Sequence, residues 1–239
     1  MFSRVLIHEL KSITRDRMYA FFALYPLILG VVAWFLVPYL EDQGSVIAAQ
    51  ITVLVFILLT GFVYGAITGF SLLDDQDDNV IMSLRITPVS VRTYLAIKLA
   101  VSYLAAIVAT ALVIIVTSFL PDSGAGHLLM IILLSSLQAP FIALMINAFA
   151  RNKVEGFVIM KTTGILLLVP IASLFLSDWK ELFLSVIPGF WPARLVSIAL
   201  IPTSDPFLGS AFAYFASGIV VNTVAIMLLY KLYTRRLSL

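Results

Sequence analysis

The chain has 239 residues, of which 62% are hydrophobic and 12% are charged, and its mean hydropathy is +1.08. Soluble domains carry about 25% charged residues, so the composition excludes an ordinary soluble protein and predicts several membrane spans. The chain has no cysteine, which excludes disulfides, thiolate nucleophiles and cysteine-ligated metal.

The first residues, 2–17, are predicted to form an amphipathic helix, because their apolar side chains recur at helical spacing. A basic stripe runs beside the apolar face at steps of four, three and four: Arg4, His8, Lys11 and Arg15. Such a helix lies on anionic lipid, or it also contacts a cytoplasmic partner. The apolar run that follows is too long for the h-region of a cleaved signal peptide.

Six apolar stretches are long enough to cross a membrane, which takes about 20 residues. They are Met18–Leu40, Val46–Leu73, Tyr94–Leu120, Leu128–Ala150, Phe157–Leu176 and Leu208–Tyr233. With the N-terminus inside, thirteen of the fifteen lysines and arginines fall on the cytoplasmic side, and Lys180 and Arg194 fall outside. The positive-inside rule therefore predicts that both termini are cytoplasmic.

The second span contains two kinds of residue that predict contacts inside the membrane. Gly61, Gly65 and Gly69 recur at every fourth position and predict a face that another helix approaches closely, within the subunit or on a second copy. Mildly polar residues within the spans form hydrogen bonds between helices, or they line a path for an amphiphilic solute. The candidates for that path are Thr60, Tyr64, Thr68 and Asn147.

The loop after the second span begins with four aspartates in five positions, from Asp74 to Asp78. The run contains D-D-x-x-D, a pattern that binds Mg²⁺ and diphosphate where two acidic clusters face each other. This chain has one such cluster, so a solvated acidic loop is the simpler interpretation. No carboxylate lies in the middle of a span, which disfavours a proton-coupled carrier, and no metal ligand set is predicted.

A short helix is predicted directly after the aspartates. Val80, Ile81 and Leu84 share a face at helical spacing, and we expect Asp77 and Asp78 at the start of the helix, where carboxylates favour the helix dipole. Thr87-Pro88 should end it, and Ser90 is a candidate cap for the next helix. The product is a short helix that a soluble partner could seat.

The segment 177–207, before the last span, is apolar apart from Arg194 between Leu182 and Ile201. Pro188, Gly189 and Pro192 interrupt it, and a seventh crossing would put the basic C-terminus outside. We therefore predict two short re-entrant helices packed against protein.

Several of these features together resemble the permease subunits of ABC transporters, in the six-span exporter class called ABC-2 permeases. They are the acidic cluster, the short helix with "TPVS" and Lys98 after it, the stretch Asn152–Gly156, and "PGFWPAR" at Pro188–Arg194. The family usually has an acid-Gly-Thr-Leu-Glu run where this chain has Asp78-Asn79-Val80-Ile81-Met82, so the Gly and the final Glu are missing.

The resemblance implies an all-α integral membrane protein with a basic N-terminal connecting helix (1–17), six spans, a cytoplasmic coupling loop (74–92) and an extracellular re-entrant segment (177–207), in one domain, 1–239. It also implies a partner, a nucleotide-binding (ATPase) subunit that binds ATP and Mg²⁺, whereas this chain binds no cofactor. The implied coupling contacts are Asp77, Asp78, Val80, Ile81, Leu84, Arg85, Thr87 and Pro88.

The sequence therefore predicts a non-enzymatic permease subunit of an ATP-driven exporter in a bacterial plasma membrane. Its expected solute is amphiphilic: a drug, an antibiotic, a peptide or a lipid. A second permease copy or a related chain would complete the path, with membrane lipid around it and no nucleic acid. The alternatives are a Mg²⁺-dependent prenyltransferase that uses Asp74–Asp78, and an ATP-independent carrier or channel.

Overall fold

The computed structural model describes most of the chain: Phe21, residues 24–84, Ile86, and residues 90–120, 123–166, 168–176, 178–201 and 207–237. The described residues form nine α-helices and two 3-10 helices. The α-helices are α1 (Tyr25–Asp42), α2 (Val46–Asp77), α3 (Val80–Leu84), α4 (Val91–Thr117), α5 (Ala125–Ser136), α6 (Gln138–Phe149), α7 (Lys153–Leu166), α8 (Phe190–Leu200) and α9 (Ala211–Arg236). The 3-10 helices are Val169–Leu174 and Trp179–Val186.

Six helical segments among the described residues are long and apolar enough to span a membrane, which confirms the predicted count and the all-α class. They are α1, α2, α4, α5 with α6, α7 with the first 3-10 helix, and α9. The chain is therefore a multi-pass membrane protein. The predicted connecting helix, with Arg4, His8, Lys11 and Arg15, lies outside the described residues.

The fourth span is bent at Leu137, between α5 and α6. Pro140 explains the bend, because a proline has no N–H to donate and its ring clashes with the carbonyl four residues earlier. In the fifth span the α-helix ends at Leu166 and gives way to a 3-10 helix that contains Pro170. Sequence analysis predicted both spans and neither interruption.

The centre of the bundle is the contact of α2 with α5 and α6. A Cβ built on Gly65 would lie 2.6 Å from the Ala139 carbonyl oxygen, and one built on Gly61 would lie 2.7 Å from that of Ser135. Gly69 meets Ile146 in the same way. The glycine stripe of α2 therefore lies against helices of its own chain, and its lack of side chains permits this close approach.

The bundle has two ends, which we call the α3 end and the far end. The α3 end brings together α3, the last turns of α2, α6 and α9, and the first turns of α4 and α7. The far end contains α8 and the 3-10 helix Trp179–Val186. These two short helices occupy the segment predicted to be re-entrant and are separated at Pro188–Gly189; their depth in lipid stays a prediction.

Candidate functional site

The acidic run lies at the end of α2, which continues through Asp77. The backbone N–H of Asp78 donates to the Asp74 carbonyl at 2.8 Å, and Asn79 turns the chain with a left-handed φ of 58°. Asp77 and Asp78 therefore lie at the end of α2. The prediction that they begin α3 was wrong. The prediction took the aspartates for loop, because a charged run is usually solvated.

Acidic residues at a helix C-terminus are unfavourable, because the carbonyl end of the helix dipole is negative. Two of the four aspartates are compensated by lysines from other helices. The Nζ atom of Lys98, on α4, lies 2.5 Å from Asp75 Oδ2, and that of Lys153, on α7, lies 2.5 Å from Asp74 Oδ1. The carboxylates hold neighbouring spans, which disfavours their use as Mg²⁺ ligands.

The Asp75–Lys98 ion pair is mostly buried: 2% of the Lys98 side chain and 15% of the Asp75 side chain are exposed. Lys98 Nζ also donates to Ser71 Oγ at 2.8 Å, and the Tyr94 hydroxyl donates to Asp75 Oδ2 at 2.9 Å. The spacing of Lys98 from Asp75 carries no periodic signal, so sequence reasoning missed the pair.

Gln76, the next residue, reaches two further helices. Its Nε2 donates to Asn147 Oδ1 on α6 at 2.9 Å and to the Tyr233 hydroxyl on α9 at 3.1 Å. We call Asp74, Asp75 and Gln76 the junction. Through their side chains, this one turn of α2 contacts α4, α6, α7 and α9.

The end of α9 reinforces the junction. Arg236 donates through Nη1 to the carbonyl oxygens of Asn147, Ala148 and Ala150 at 3.1, 3.3 and 2.6 Å. These carbonyls lie at the C-terminal end of α6, where a cation is favourable for the helix dipole. The last turns of α6 and α9 are thereby fixed to one another beside Gln76.

The helix α3 presents a different set of side chains from the one predicted. Ile81 is 5% exposed and packs with Leu72, Val91 and Leu95 inside the chain. Val80 and Leu84 are half-buried. The exposed apolar side chains are Met82 at 65% and Ile86 at 91%, which the predicted face left out.

The remaining predicted coupling residues fall in two groups. Asp77 and Asp78 are exposed beside the tip of the loop, whereas Arg85, Thr87 and Pro88 lie outside the described residues. Ser90 caps α4 as expected, since its Oγ accepts a hydrogen bond from the Thr93 N–H at 3.1 Å. The coupling role of this loop stays a prediction.

Of the residues proposed for a solute path, two are engaged in contacts between helices, and the path itself stays a prediction. Thr60 is buried and hydrogen-bonded to the Thr110 hydroxyl at 2.6 Å. Asn147 is buried in the contacts with Gln76 and with the Gly69 carbonyl. Tyr64 and Thr68 are half-buried on α2. Thr60 and Asn147 thus join helices, which is the other role that the sequence left open for them.

An apolar cavity of about 460 Å³ lies at the contact of α1, α2 and α7. The lining residues are Phe21, Tyr25, Leu59, Phe62, Val63, Ala66, Ile67, Phe70, Phe157 and Met160. The Phe70 and Phe157 rings pack with their centroids 4.6 Å apart. The cavity has the size of a small-molecule pocket, and none of its lining residues was proposed for the solute path.

The far end contains a second buried ion pair, which the sequence did not predict. Arg194 Nε on α8 lies 2.9 Å from Glu181 Oε2, and both side chains are 1% exposed. The Tyr214 hydroxyl donates to Glu181, and Arg194 Nη1 donates to the Ser173 carbonyl at 3.2 Å. Arg194 therefore joins the short helices of the far end to one another, and Glu181 joins them to α9 through Tyr214.

Within the part of the chain that the structure describes, no three His, Asp or Glu side chains are grouped as metal ligands. The site is instead a set of ties between helices, beside a short helix with exposed apolar side chains.

Residues 9–230 match the family described as "Fluoroquinolones export permease protein Rv2686c-like". The chain belongs to this family. Similar curated proteins are the fluoroquinolones export permease proteins Rv2686c and MT2760 of Mycobacterium tuberculosis strains H37Rv and CDC 1551. Each is 28% identical over 178 residues, which cover 74% of this chain and 68% of the relative.

Membership of the Rv2686c-like family confirms the resemblance drawn from the sequence. The chain is a permease subunit of the ABC-2 exporter class, and its part in the system is transport. The junction and α3 therefore lie in a permease.

Proposed function

We propose that the α3 end is the cytoplasmic seat of a separate nucleotide-binding subunit, and that both termini of this permease are cytoplasmic. ATP and Mg²⁺ bind to the partner, whose closure displaces α3. A second copy of this chain or a related permease completes the path in a bacterial plasma membrane. The single observation that carries the proposal is the exposure of Met82 and Ile86 beside a junction that ties together four other helices.

The charge pattern supports this assignment. Met82 and Ile86 are apolar, and the exposed carboxylates Asp77 and Asp78 precede them in the same loop. A small apolar centre with a charged rim is typical of a protein–protein contact. A loop in lipid would gain nothing from exposed aspartates, which are costly there. The occupant we assign is therefore a soluble subunit.

The proposed solute is an aromatic, drug-like amphiphile of the fluoroquinolone class. The relatives carry that solute in their names, and the cavity at α1, α2 and α7 has five aromatic residues in its lining. Aromatic rings stack favourably on one another, so planar solutes suit such a lining better than long aliphatic ones do.

The test of the partner is co-purification. The full chain, tagged and expressed in its native membrane, should retain a Walker-motif ATPase that mass spectrometry identifies. The double substitution Met82→Asp/Ile86→Asp should lower the retained ATPase about ten-fold or more, because buried apolar anchors dominate interface energies. Met82→Leu/Ile86→Leu is the matched control, which preserves the apolar surface.

Equal retention by the aspartate variant would contradict the proposal. Substituting Ile81 would not give a clean test, because this side chain packs inside the permease. Export by the purified chain alone in liposomes would favour an ATP-independent carrier. The prenyltransferase alternative loses support because Asp74 and Asp75 are engaged by lysines.

A further inference from the structure

The helix α3 rests on the two spans that bracket it. Ile81 of α3 is buried in one apolar cluster with Leu72 of α2 and with Val91 and Leu95 of α4. A displacement of α3 therefore acts on a cluster that both spans share. Whether α2 and α4 then move together depends on the bonds between them at this level.

Those bonds are the contacts around Asp75 and Lys98. Three interactions cross from α4 to α2 within two turns of the loop: Lys98 to Asp75, Lys98 to Ser71, and Tyr94 to Asp75. Their direction fixes the position of α4 along α2 as well as the distance between the helices. Apolar packing alone would allow one helix to slide along the other, since it is not directional.

The presence of this ion pair is weak evidence for a stabilising role. Removing two charges from water is costly, and neutral side chains of similar volume in place of a buried pair often fold as well or better. The best-attested use of a buried polar pair is to fix register. A fixed register between α2 and α4 is required if a displacement of α3 is to move both helices together.

We propose that Asp75 and Lys98 are positioning residues of export, which make α2, α3 and α4 move as one body. This inference rests on the proposed function, because the displacement of α3 comes from the nucleotide-binding subunit. A conformational change is coupled only where the two states differ in their contacts. The Asp75–Lys98 pair therefore carries the displacement of α3 to α2 and α4 together. Its loss should uncouple ATP hydrolysis from export.

The experiment uses the full chain with its co-purified ATPase subunit in liposomes, and a fluorescent fluoroquinolone as the solute. The variant Asp75→Asn/Lys98→Met removes both charges at similar volume, so no unpaired charge is left buried. We expect ATP hydrolysis to stay within about two-fold and export per ATP to fall about ten-fold. Thermal unfolding in detergent checks that the variant is folded.

The matched control makes the same chemical change at the far end. Asp178→Asn/Lys180→Met replaces two exposed side chains outside the junction, and export per ATP should not change. Unchanged export per ATP in the Asp75→Asn/Lys98→Met variant would overturn the proposal. A milder variant, Tyr94→Phe, retains the ion pair and removes one hydrogen bond. Tyr94→Phe should lower export per ATP about three-fold. This variant is the test if Asp75→Asn/Lys98→Met does not assemble with the ATPase subunit. Unchanged export per ATP in Tyr94→Phe would then overturn the proposal.

Spin labels give a readout that a purely structural role would not change. The chain has no cysteine, so Ser83→Cys and Ala100→Cys place single labels on exposed positions of α3 and α4 and leave the proposed contact Met82 in place. With the pair intact, the distance between the labels should stay constant when ATP is added. In the Asp75→Asn/Lys98→Met background it should change. A constant distance in both backgrounds contradicts transmission through the pair, whereas failure to retain any ATPase contradicts the proposed function itself.

Discussion

The two ends of the bundle both contain a buried ion pair, and they use it differently. At the α3 end, Asp75 and Lys98 join two long spans beside side chains that face outward. At the far end, Arg194 and Glu181 hold short helices to the core, and both are almost fully buried. The same chemistry thus joins two long spans at one end and fixes short helices at the other.

The difference lies in what surrounds each pair. The α3 end has further ties through Asp74, Gln76 and Arg236, so its helices share one junction. Around Arg194 the partners are Ser173, Tyr214 and the Glu181 carboxylate, all of which belong to the far end. The junction contacts most of the spans, whereas the far-end cluster fixes local structure.

The largest expected effect on stability comes from breaking the Arg194–Glu181 ion pair at the far end. Arg194→Met leaves the Glu181 carboxylate buried without its cation, and we expect a loss of about 3–5 kcal/mol of stability. Thermal unfolding of the purified chain in detergent measures this loss. The control Lys180→Met removes an exposed cation nearby and should leave the unfolding midpoint in place. Equal midpoints for the two variants would refute the structural role of Arg194.

The smallest expected effect concerns the exposed pair at the junction. Lys153 is half exposed and Asp74 a quarter exposed, so solvent screens their attraction. Asp74→Asn/Lys153→Gln should cost about 1 kcal/mol or less, and raised salt should shrink the difference further. The same unfolding assay, repeated at low and high salt, checks both statements. A loss as large as that of Arg194→Met would show that burial does not separate the two classes of pair.

Much of the architecture could be predicted from the sequence. Runs of about 20 apolar residues give the six spans, and Gly61, Gly65 and Gly69 give a close helix contact, because both signals are local and periodic. The short helix α3 and the Ser90 cap follow from equally local patterns. The bend at Leu137 was available as well, since Pro140 marks it.

The candidate site was harder to predict, because its bonds join residues far apart in the chain. Asp75 and Lys98 are separated by 23 positions and Gln76 and Tyr233 by 157, and single-sequence periodicity says nothing about such pairs. Ile81 was predicted as a partner contact but is buried inside the chain, for a related reason. Helical spacing shows which residues share a face, and not whether that face points toward the protein.

The central claim, that the α3 end seats a nucleotide-binding subunit, is tested most directly by cross-linking. A photoreactive amino acid in place of Met82 should capture an ATPase subunit in intact membranes, with the adduct identified by mass spectrometry. The same amino acid in place of Phe183, which is exposed at the far end, is the matched control and should capture none. Capture of the ATPase from position 183 and not from position 82 would contradict the account.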